Sequence, residues 1–380
     1  MAQPHLLGVG LTPFGRHDGS TALGLMAQAA QAALDDAGCD RGQIDGLLCG
    51  YATTLPHLML STLFAERFAL RPAYAHSVQL GGATGAVLLM LAGDLVRAGR
   101  CRRVLVVAGE NRLSGQARDS AIQTLAQVGD AEMEVLNGAS VPAYYALLAA
   151  RYLHETGTTE PDLAELAVLM RRHAQAHPGA QLRSPLAVAD VLASKPIATP
   201  LKLADCCPIS DGAAALVVSA DPGPGPRVLL RGAGQAHRHQ HLTAMGDVLA
   251  CGAAQAAQRA LADAGVALAQ IDHLGIYDSF TITLAMLLEE IGLASRGASA
   301  AMARAGVFGP QGALPLNLHG GLLSYGHCGV AGGMAHAVEA VLQLGGRAGA
   351  RQARPGTHAL VHADGGVMSS HVSLVLTRES

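Results

Sequence analysis

The run QAAQAALDDAGCDRGQIDGL, residues 28–47, lies over QAAQRALADAGVALAQIDHL, residues 255–274, without a gap and at an offset of 227 residues. Each copy reads as an alanine-rich amphipathic helix ended by a glycine, Gly38 or Gly265, followed by a Gln-Ile-Asp linker and an apolar strand, LLCGY or LGIYD. Two unrelated alanine-rich helices would not share the Gln-Ile-Asp spacing. The parallel continues downstream: GGATGAVLLMLAGDLVRAG leads to the strand RRVLVVAGE, and GHCGVAGGMAHAVEAVLQLGG leads to THALVHADGG. This alternation predicts an α/β protein of two similar halves packed face to face, each a largely parallel sheet covered by helices. The halves are expected at 1–225 and 226–380. Within the first, a less regular stretch at about 113–204, punctuated by Pro178, Pro185, Pro196 and Pro200, reads as an insertion or lid over a cleft. It closes with DCCPISDGAAALVVSA, whose apolar end reads as a strand returning to the first half.

With 380 residues, half of them hydrophobic, the chain has ample length to bury a core. The formal charge of -3 comes without a basic run, which sets nucleic-acid binding aside. No apolar run approaches the ~20 residues of a membrane span. The first residues show no charged segment leading into an apolar core, so no signal peptide is expected. Seven cysteines, odd in number, scattered and without a CxxC pair, fit free thiols in a reducing cytoplasm.

Glycine-rich turns invite a nucleotide-binding reading, which the details resist. LLGVGLTPFG has a GxG after an apolar strand, but Pro13 and Phe14 stand where a helix should open. There is no GxxxxGK[ST], and the only lysines are Lys195 and Lys202, which excludes P-loop phosphoryl transfer. The HRHQH run, His237 to His241, reads as a solvated loop rather than a zinc site, because no fourth ligand pattern lies nearby. Cys206 and Cys207 precede a proline in an apolar context and read as buried, inert thiols. Three polar clusters stand out at strand ends or helix starts, where α/β proteins bind ligands: Tyr277-Asp278-Ser279, Tyr325 with His327, and His362 with Asp364. Capping and turn formation would also account for them.

Taken together, VGLTPFGR, LVRAGRCRRVLVVAGE, PLKLADCCPISDGAAALVV, IYDSFT, GGLLSYGHCGVAGG and HADGG resemble the thiolase superfamily, specifically its lipid-transfer-protein type, over essentially the whole chain. The resemblance implies a five-layered αβαβα core with an inserted loop domain over a pantetheine tunnel, and protomers that dimerise. It also locates the family's chemistry, and there this chain departs. The nucleophilic cysteine of the Cys-x-Ser-Gly turn falls on Gly82 of Gly82-Ala83-Thr84-Gly85, and the second cysteine falls on His362 of His362-Ala363-Asp364-Gly365-Gly366. The histidine of the Gly-His-Pro turn survives as His327, with Cys328 in place of proline, and Tyr277 takes the position of the third catalytic loop. Cys328 comes from a different loop than the missing thiol and would attack from the wrong direction.

A thiolase site without its thiols keeps the capacity to stabilise a thioester enolate, which retro-aldol cleavage of a 3-hydroxyacyl-CoA also requires. A lysine Schiff base would need a ketone substrate and a lysine in a matched loop; a metal would need ligand clusters. Proton transfer by tyrosine remains, with Tyr277 and Tyr325 in catalytic loops and His327 as the neighbour able to lower a phenol pKa. The pattern is similar to the cysteine-less, thiolase-like aldolases of bacterial steroid side-chain degradation. That resemblance implies a 17-hydroxy steroid with a three-carbon CoA side chain as substrate, a 17-ketosteroid and propionyl-CoA as products, and a complex with a small zinc-ribbon/OB-fold partner that would hold any zinc. No cofactor is expected in this chain. On this reading Tyr277, Tyr325 and His327 are catalytic, one tyrosine the base and the other the acid, with His327 donating to the thioester oxygen. Asp278, Gly82, His362, Asp364 and Gly366 contact substrate. The alternatives are an acyl-CoA acyltransferase with a non-standard nucleophile and a non-catalytic acyl-CoA or lipid-binding homologue.

Overall fold

The computed structural model describes residues 2–138 and 140–379. Strand β1 (His5–Leu11) and helix α1 (Ala22–Ala37) are followed by β2 (Gly46–Gly50), α2 (Leu60–Arg67), β3 (Tyr74–Val78), α3 (Thr84–Arg97) and β4 (Arg103–Asn111). The expected insertion contains α4 (Arg118–Ala126), α5 (Val141–Thr156), α6 (Glu160–Ala174), α7 (Val188–Ala193) and a hairpin of β5 (Pro196–Ala198) and β6 (Leu201–Lys202). β7 (Asp211–Ser219) then rejoins the first half by pairing with β4 and β1. The second half runs β8 (Val228–His237), α8 (Ala253–Ala264), β9 (His273–Ile276), α9 (Thr281–Glu290), α10 (Ser299–Arg304), α11 (Val330–Leu344), β10 (His358–Gly365) and β11 (Ser370–Arg378).

The two copies of the repeat fold alike, and the structure shows what the shared residues do. α1 and α8 each stop on a left-handed glycine, Gly38 (φ 60°) and Gly265 (φ 66°), a conformation that favours a residue without Cβ. Gln43 Oε1 accepts from the Asp40 amide at 2.9 Å and Gln270 Oε1 from the Ala267 amide at 2.8 Å, closing the same short turn in each half. The Asp45 carboxylate accepts from the amides of Arg102 and Arg103 at 2.7 and 2.8 Å, and Asp272 Oδ2 from those of Thr357 and His358 at 2.7 and 3.1 Å. Each aspartate thus ties the start of its strand to the start of the parallel neighbour. Asp45→Ala or Asp272→Ala should each lower the unfolding free energy by roughly 1–3 kcal/mol, since two amides lose a charged acceptor. Urea denaturation checks this.

The strand order is β3-β2-β4-β7-β1-β8-β11-β10-β9, with β1 and β8 joined through the single pair His5–Leu229. The sheet is not largely parallel. Only β2–β3, β2–β4 and β9–β10 pair parallel, whereas β1–β7, β1–β8, β4–β7, β8–β11 and β10–β11 are antiparallel. Parallel pairs occur where helices cross over between strands. The antiparallel ones arise where the chain doubles back, as in the short turn from β10 to β11, or re-enters from the insertion as β7.

Helix α1 packs on β1, β4 and β7, and α8 on β8 and β11, while α3 and α11 contact strands of both half-sheets. The result is the five-layered αβαβα core. Alanine and glycine permit its close layers: a Cβ on Gly8 or Gly10 would lie 2.3 or 2.0 Å from the carbonyls of Ala33 or Ala29, and one on Gly232 or Gly234 would lie 2.5 Å from those of Ala260 or Ala256. In the insertion, α6 packs on α9, α10 and the turn at 321–325, and α5 packs on α9. The lid therefore covers the loops that carry the second half's polar clusters. Among the described residues, no helix is long and apolar enough to cross a membrane.

Candidate active site

The turn before α3 meets the end of β9 at Gly82. A Cβ there would stand 2.3 Å from Tyr277 Oη and 2.4 Å from the Asp364 carbonyl oxygen. The phenol therefore fills the space where a side chain at 82 would begin. Tyr277 is held at the end of its strand by its amide, which donates to the His362 carbonyl at 3.0 Å, and its side chain is 4% exposed. Its Oη lies 2.9 Å from His327 Nε2. On the far side of that ring, Nδ1 accepts from the Gly329 amide at 3.3 Å. This puts the proton of the neutral imidazole on Nε2, so His327 donates to the Tyr277 oxygen. The role expected of His327, donor to a thioester oxygen, competes with that bond.

Burial above all holds the Tyr277 phenol well above its ordinary value of 10, with the Arg112 charge opposing. Burial, with Arg112 second, pushes His327 down to about 3, so the ring is neutral. A buried phenol facing a neutral N–H donor can exchange one proton with a bound molecule and have the resulting phenolate oxygen stabilised in place.

Asp364 sits beside this pair. Its Oδ2 accepts from Tyr145 Oη at 2.9 Å, while Oδ1 is buried and has no partner among the described residues. Burial raises the carboxyl well above the usual carboxylate range, which favours the protonated form, a hydrogen-bond donor. Tyr145 comes from α5 in the insertion, stacks on Phe280 with ring centroids 4.4 Å apart, and also donates to the Gly366 carbonyl at 3.2 Å. The Gly366 amide lies against the turn at 81–82, 2.9 Å from where a Gly81 Cβ would be.

The remaining expected residues take other places. Asp278 is fully buried, and its carboxylate accepts from the amides of Leu322 and Leu323 at 2.7 and 3.4 Å. It shapes the π-helical turn Gly321–Tyr325 from beneath, and Gly321 (φ 60°) has no room for a Cβ, which would lie 2.0 Å from Asp278 Oδ2. Asp278 thereby holds the turn that carries Tyr325 and leads into His327. Tyr325, 1% exposed, donates to the Thr12 carbonyl at 3.0 Å and packs on Phe14 and His177. Tyr277 and Tyr325 therefore do not share a hydrogen bond. His362 is also fully buried, with Nδ1 2.7 Å from Ser373 Oγ and Nε2 3.2 Å from His371 Nδ1. Its ring is engaged with Ser373 and His371 of β11.

Cys328 is fully buried, and burial pushes its thiol well above the ordinary range, the reverse of an activated nucleophile. Cys328→Ala should keep catalytic turnover within about twofold of wild type, since no reactive thiolate is lost. Burial likewise pushes Cys206 up to about 12. Lys202 pairs with Glu160, and Lys195 is exposed. His237 bonds Ser370 and Gln235, and His239 faces the Val367 carbonyl; among the described residues no group of three His, Cys, Asp or Glu side chains is arranged to hold a metal.

Two contributors escaped the sequence reading. Tyr145 lies in the insertion, where no motif singled it out. Arg112 follows β4 with its side chain 9% exposed and Nε 3.7 Å from Glu110 Oε2, and its charge acts on Tyr277, His327 and Cys328. The visible signal was AGENR, charged residues closing an apolar strand at the counterpart of HADGG.

Residues 234–378 match the family model "Thiolase C-terminal domain-like". An "Acetyl-CoA acetyltransferase" of Methanothermobacter thermautotrophicus is 29% identical over 95% of this chain and 96% of its own. A "Steroid side-chain-cleaving aldolase" of Thermomonospora curvata is 31% identical over 97% of both chains. A solved structure, "Ltp2-ChsH2(DUF35) aldolase", superposes with a TM-score of 0.84 at 29% identity, covering 99% of this chain and 98% of that one. Fold, site and likeness agree that this chain belongs to the thiolase superfamily, among its lipid-transfer-protein-type members that lack the reactive cysteines.

Proposed function

We propose that the protein is an acyl-CoA retro-aldolase, a carbon–carbon lyase that cleaves a 3-hydroxyacyl-CoA to a ketone and a shortened acyl-CoA. The names of its relatives divide between acyl transfer and aldol cleavage, so the site must choose. One observation carries the choice: the space a nucleophile's Cβ would need at residue 82 holds the Tyr277 hydroxyl, bonded to His327. That arrangement has no group to carry an acyl chain and one placed to move a proton.

In the proposed reaction the Tyr277 phenolate, supported by His327 Nε2–H and the Arg112 charge, takes the proton of the substrate's 3-hydroxyl. The Cα–Cβ bond breaks, the oxygen's electron pair forms the ketone, and the bond pair passes into the thioester enolate. The protonated Asp364 carboxyl donates to the thioester oxygen. Tyr325 gives its proton to Cα after leaving the Thr12 carbonyl. The substrate we assign is a 17-hydroxy steroid with a three-carbon CoA side chain, giving a 17-ketosteroid and propionyl-CoA; the name of the 31%-identical relative supports the steroid class.

The name of the structural neighbour supports a complex with a DUF35 partner. We assign this chain a small partner of that kind, built from a zinc ribbon and an OB-fold and holding any zinc. We further assign a homodimer formed along β3, an edge strand that pairs only with β2 and leaves Tyr74, His76 and Ser77 exposed.

The test is co-expression with the partner and incubation with the CoA thioester of the 17-hydroxy steroid, followed by mass spectrometry of products and protein. Ketone and propionyl-CoA with no acyl-enzyme mass shift support the reading; an acyl-enzyme adduct selects the acyltransferase, and saturable binding without product selects a binding protein. Tyr325→Phe at wild-type turnover would remove that residue from the mechanism.

The pH dependence has a definite sign. The base acts deprotonated and burial raises its pKa, so kcat/KM should climb towards tenfold per pH unit between about pH 6 and 9. His327, at about 3, should add no inflection near 6.5. A neutral-pH plateau would assign the base to another group.

A further inference from the structure

We infer that His336 and His319 form an internal proton path joining Tyr277 to Tyr325. The inference rests on the two-tyrosine reaction above, whose balance requires it. Each turnover leaves Tyr277 one proton richer and Tyr325 one poorer, so a proton must pass from the first to the second before the next substrate is cleaved. Bulk water is a poor carrier here, because the two side chains are 4% and 1% exposed.

Two histidine rings lie in series between the rings of the tyrosines, whose hydroxyls face His327 Nε2 and the Thr12 carbonyl at rest and must turn to enter the path. Ring centroids are 6.4 Å apart from Tyr277 to His336, 4.9 Å from His336 to His319, and 5.5 Å from His319 to Tyr325. Both imidazoles are 1% exposed, and none of their four ring nitrogens has a hydrogen-bond partner among the described residues. Buried polar atoms in that condition are costly to keep, and here two such rings pack against each other and against both tyrosines. Asp278 Oδ1 lies 3.5 Å from His336 Nε2, and burial raises that carboxyl well above the usual carboxylate range. Beside the two imidazoles lies a cavity of about 10 Å³, lined by His319, His336, Asn317, Glu339 and Gln343 and by neither tyrosine, about the least space that one water needs.

A neutral imidazole passes a proton by accepting at one nitrogen and releasing from the other. No charge need reside on the ring. Burial holds His336 at about 3 and His319 well below 6.5, which keeps both in that neutral form. Both act through the tyrosines, so they are positioning residues of the path rather than groups that touch substrate.

The test uses the assembled complex and the same CoA thioester, comparing a single turnover, with enzyme in excess, against steady-state turnover. His336→Phe and His319→Phe should cleave the first equivalent within about twofold of the wild-type rate and then lose at least about tenfold in steady state, because only the reset is broken. His336→Gly should regain steady-state turnover when imidazole is added to the buffer. His336→Gln and His319→Gln retain polar side chains at these sites and give the same comparison should the phenylalanine variants fail to fold. Unchanged steady-state turnover, or equal losses in both regimes, overturns the path and leaves the aldolase standing. Absence of ketone from the wild-type complex overturns the aldolase reading and the path with it.

Discussion

Tyr277→Phe should cut turnover of the assembled complex by about 10²- to 10⁴-fold, the range a positioned acid or base supplies. The substitution removes one oxygen atom and leaves the ring in its buried seat between Gly82, Gly333 and His336. The fold should therefore survive, with the thermal midpoint lowered by a few degrees. The lost bond to His327 Nε2 leaves one buried donor unpaired, at about 1–3 kcal/mol. Product formation followed by mass spectrometry, with a melting curve beside it, separates the two effects. Wild-type turnover in this variant would remove Tyr277 from the chemistry.

Gly82→Cys should neither create a thiolase nor preserve the aldolase. The new Cβ would stand 2.3 Å from Tyr277 Oη and 2.4 Å from the Asp364 carbonyl oxygen. A flexible side chain could yield, but the second contact is backbone inside β10, where Asp364 pairs with His371 of β11. Overpacking of this kind costs about 1–3 kcal/mol, so the melting point should fall by several degrees. Displacing the phenol from His327 should cost turnover on the scale of Tyr277→Phe. No acyl-enzyme should form on incubation with acetyl-CoA. Acylation of the introduced thiol in a Gly82→Cys variant of intact stability would show that the phenol is not what the glycine accommodates.

Much of the architecture was readable because the repeat imposed it. The alanine faces of α1 and α8, their terminal glycines and the Gln-Ile-Asp turns are local features, and local periodicity and capping report them directly. Strand direction was not. Whether β7 and β11 run with or against their neighbours depends on where the chain re-enters the sheet after the insertion or a tight turn, and no residue of either strand encodes that. The site divides the same way. Motif positions singled out Tyr277, Tyr325 and His327, yet the same reasoning set Asp278 and His362 against substrate, although one supports the turn at 321–325 and the other bonds to Ser373 and His371. Tyr145 stayed invisible because its partner, Asp364, is 219 residues away and the contact exists only once α5 lies over the second half.

By itself the sequence determined the duplicated α/β plan, the loss of both reactive thiols, and a replacement set of tyrosine and histidine in the catalytic loops, since each of these is written in residue type and spacing. Only the tertiary structure decided that the tyrosine hydroxyl stands over Gly82 with His327 donating to it, and that two unpaired histidines lie between the tyrosines. Those facts come from side chains 50 to several hundred residues apart converging on one point, and that convergence is set by how the five layers and the inserted helices close together.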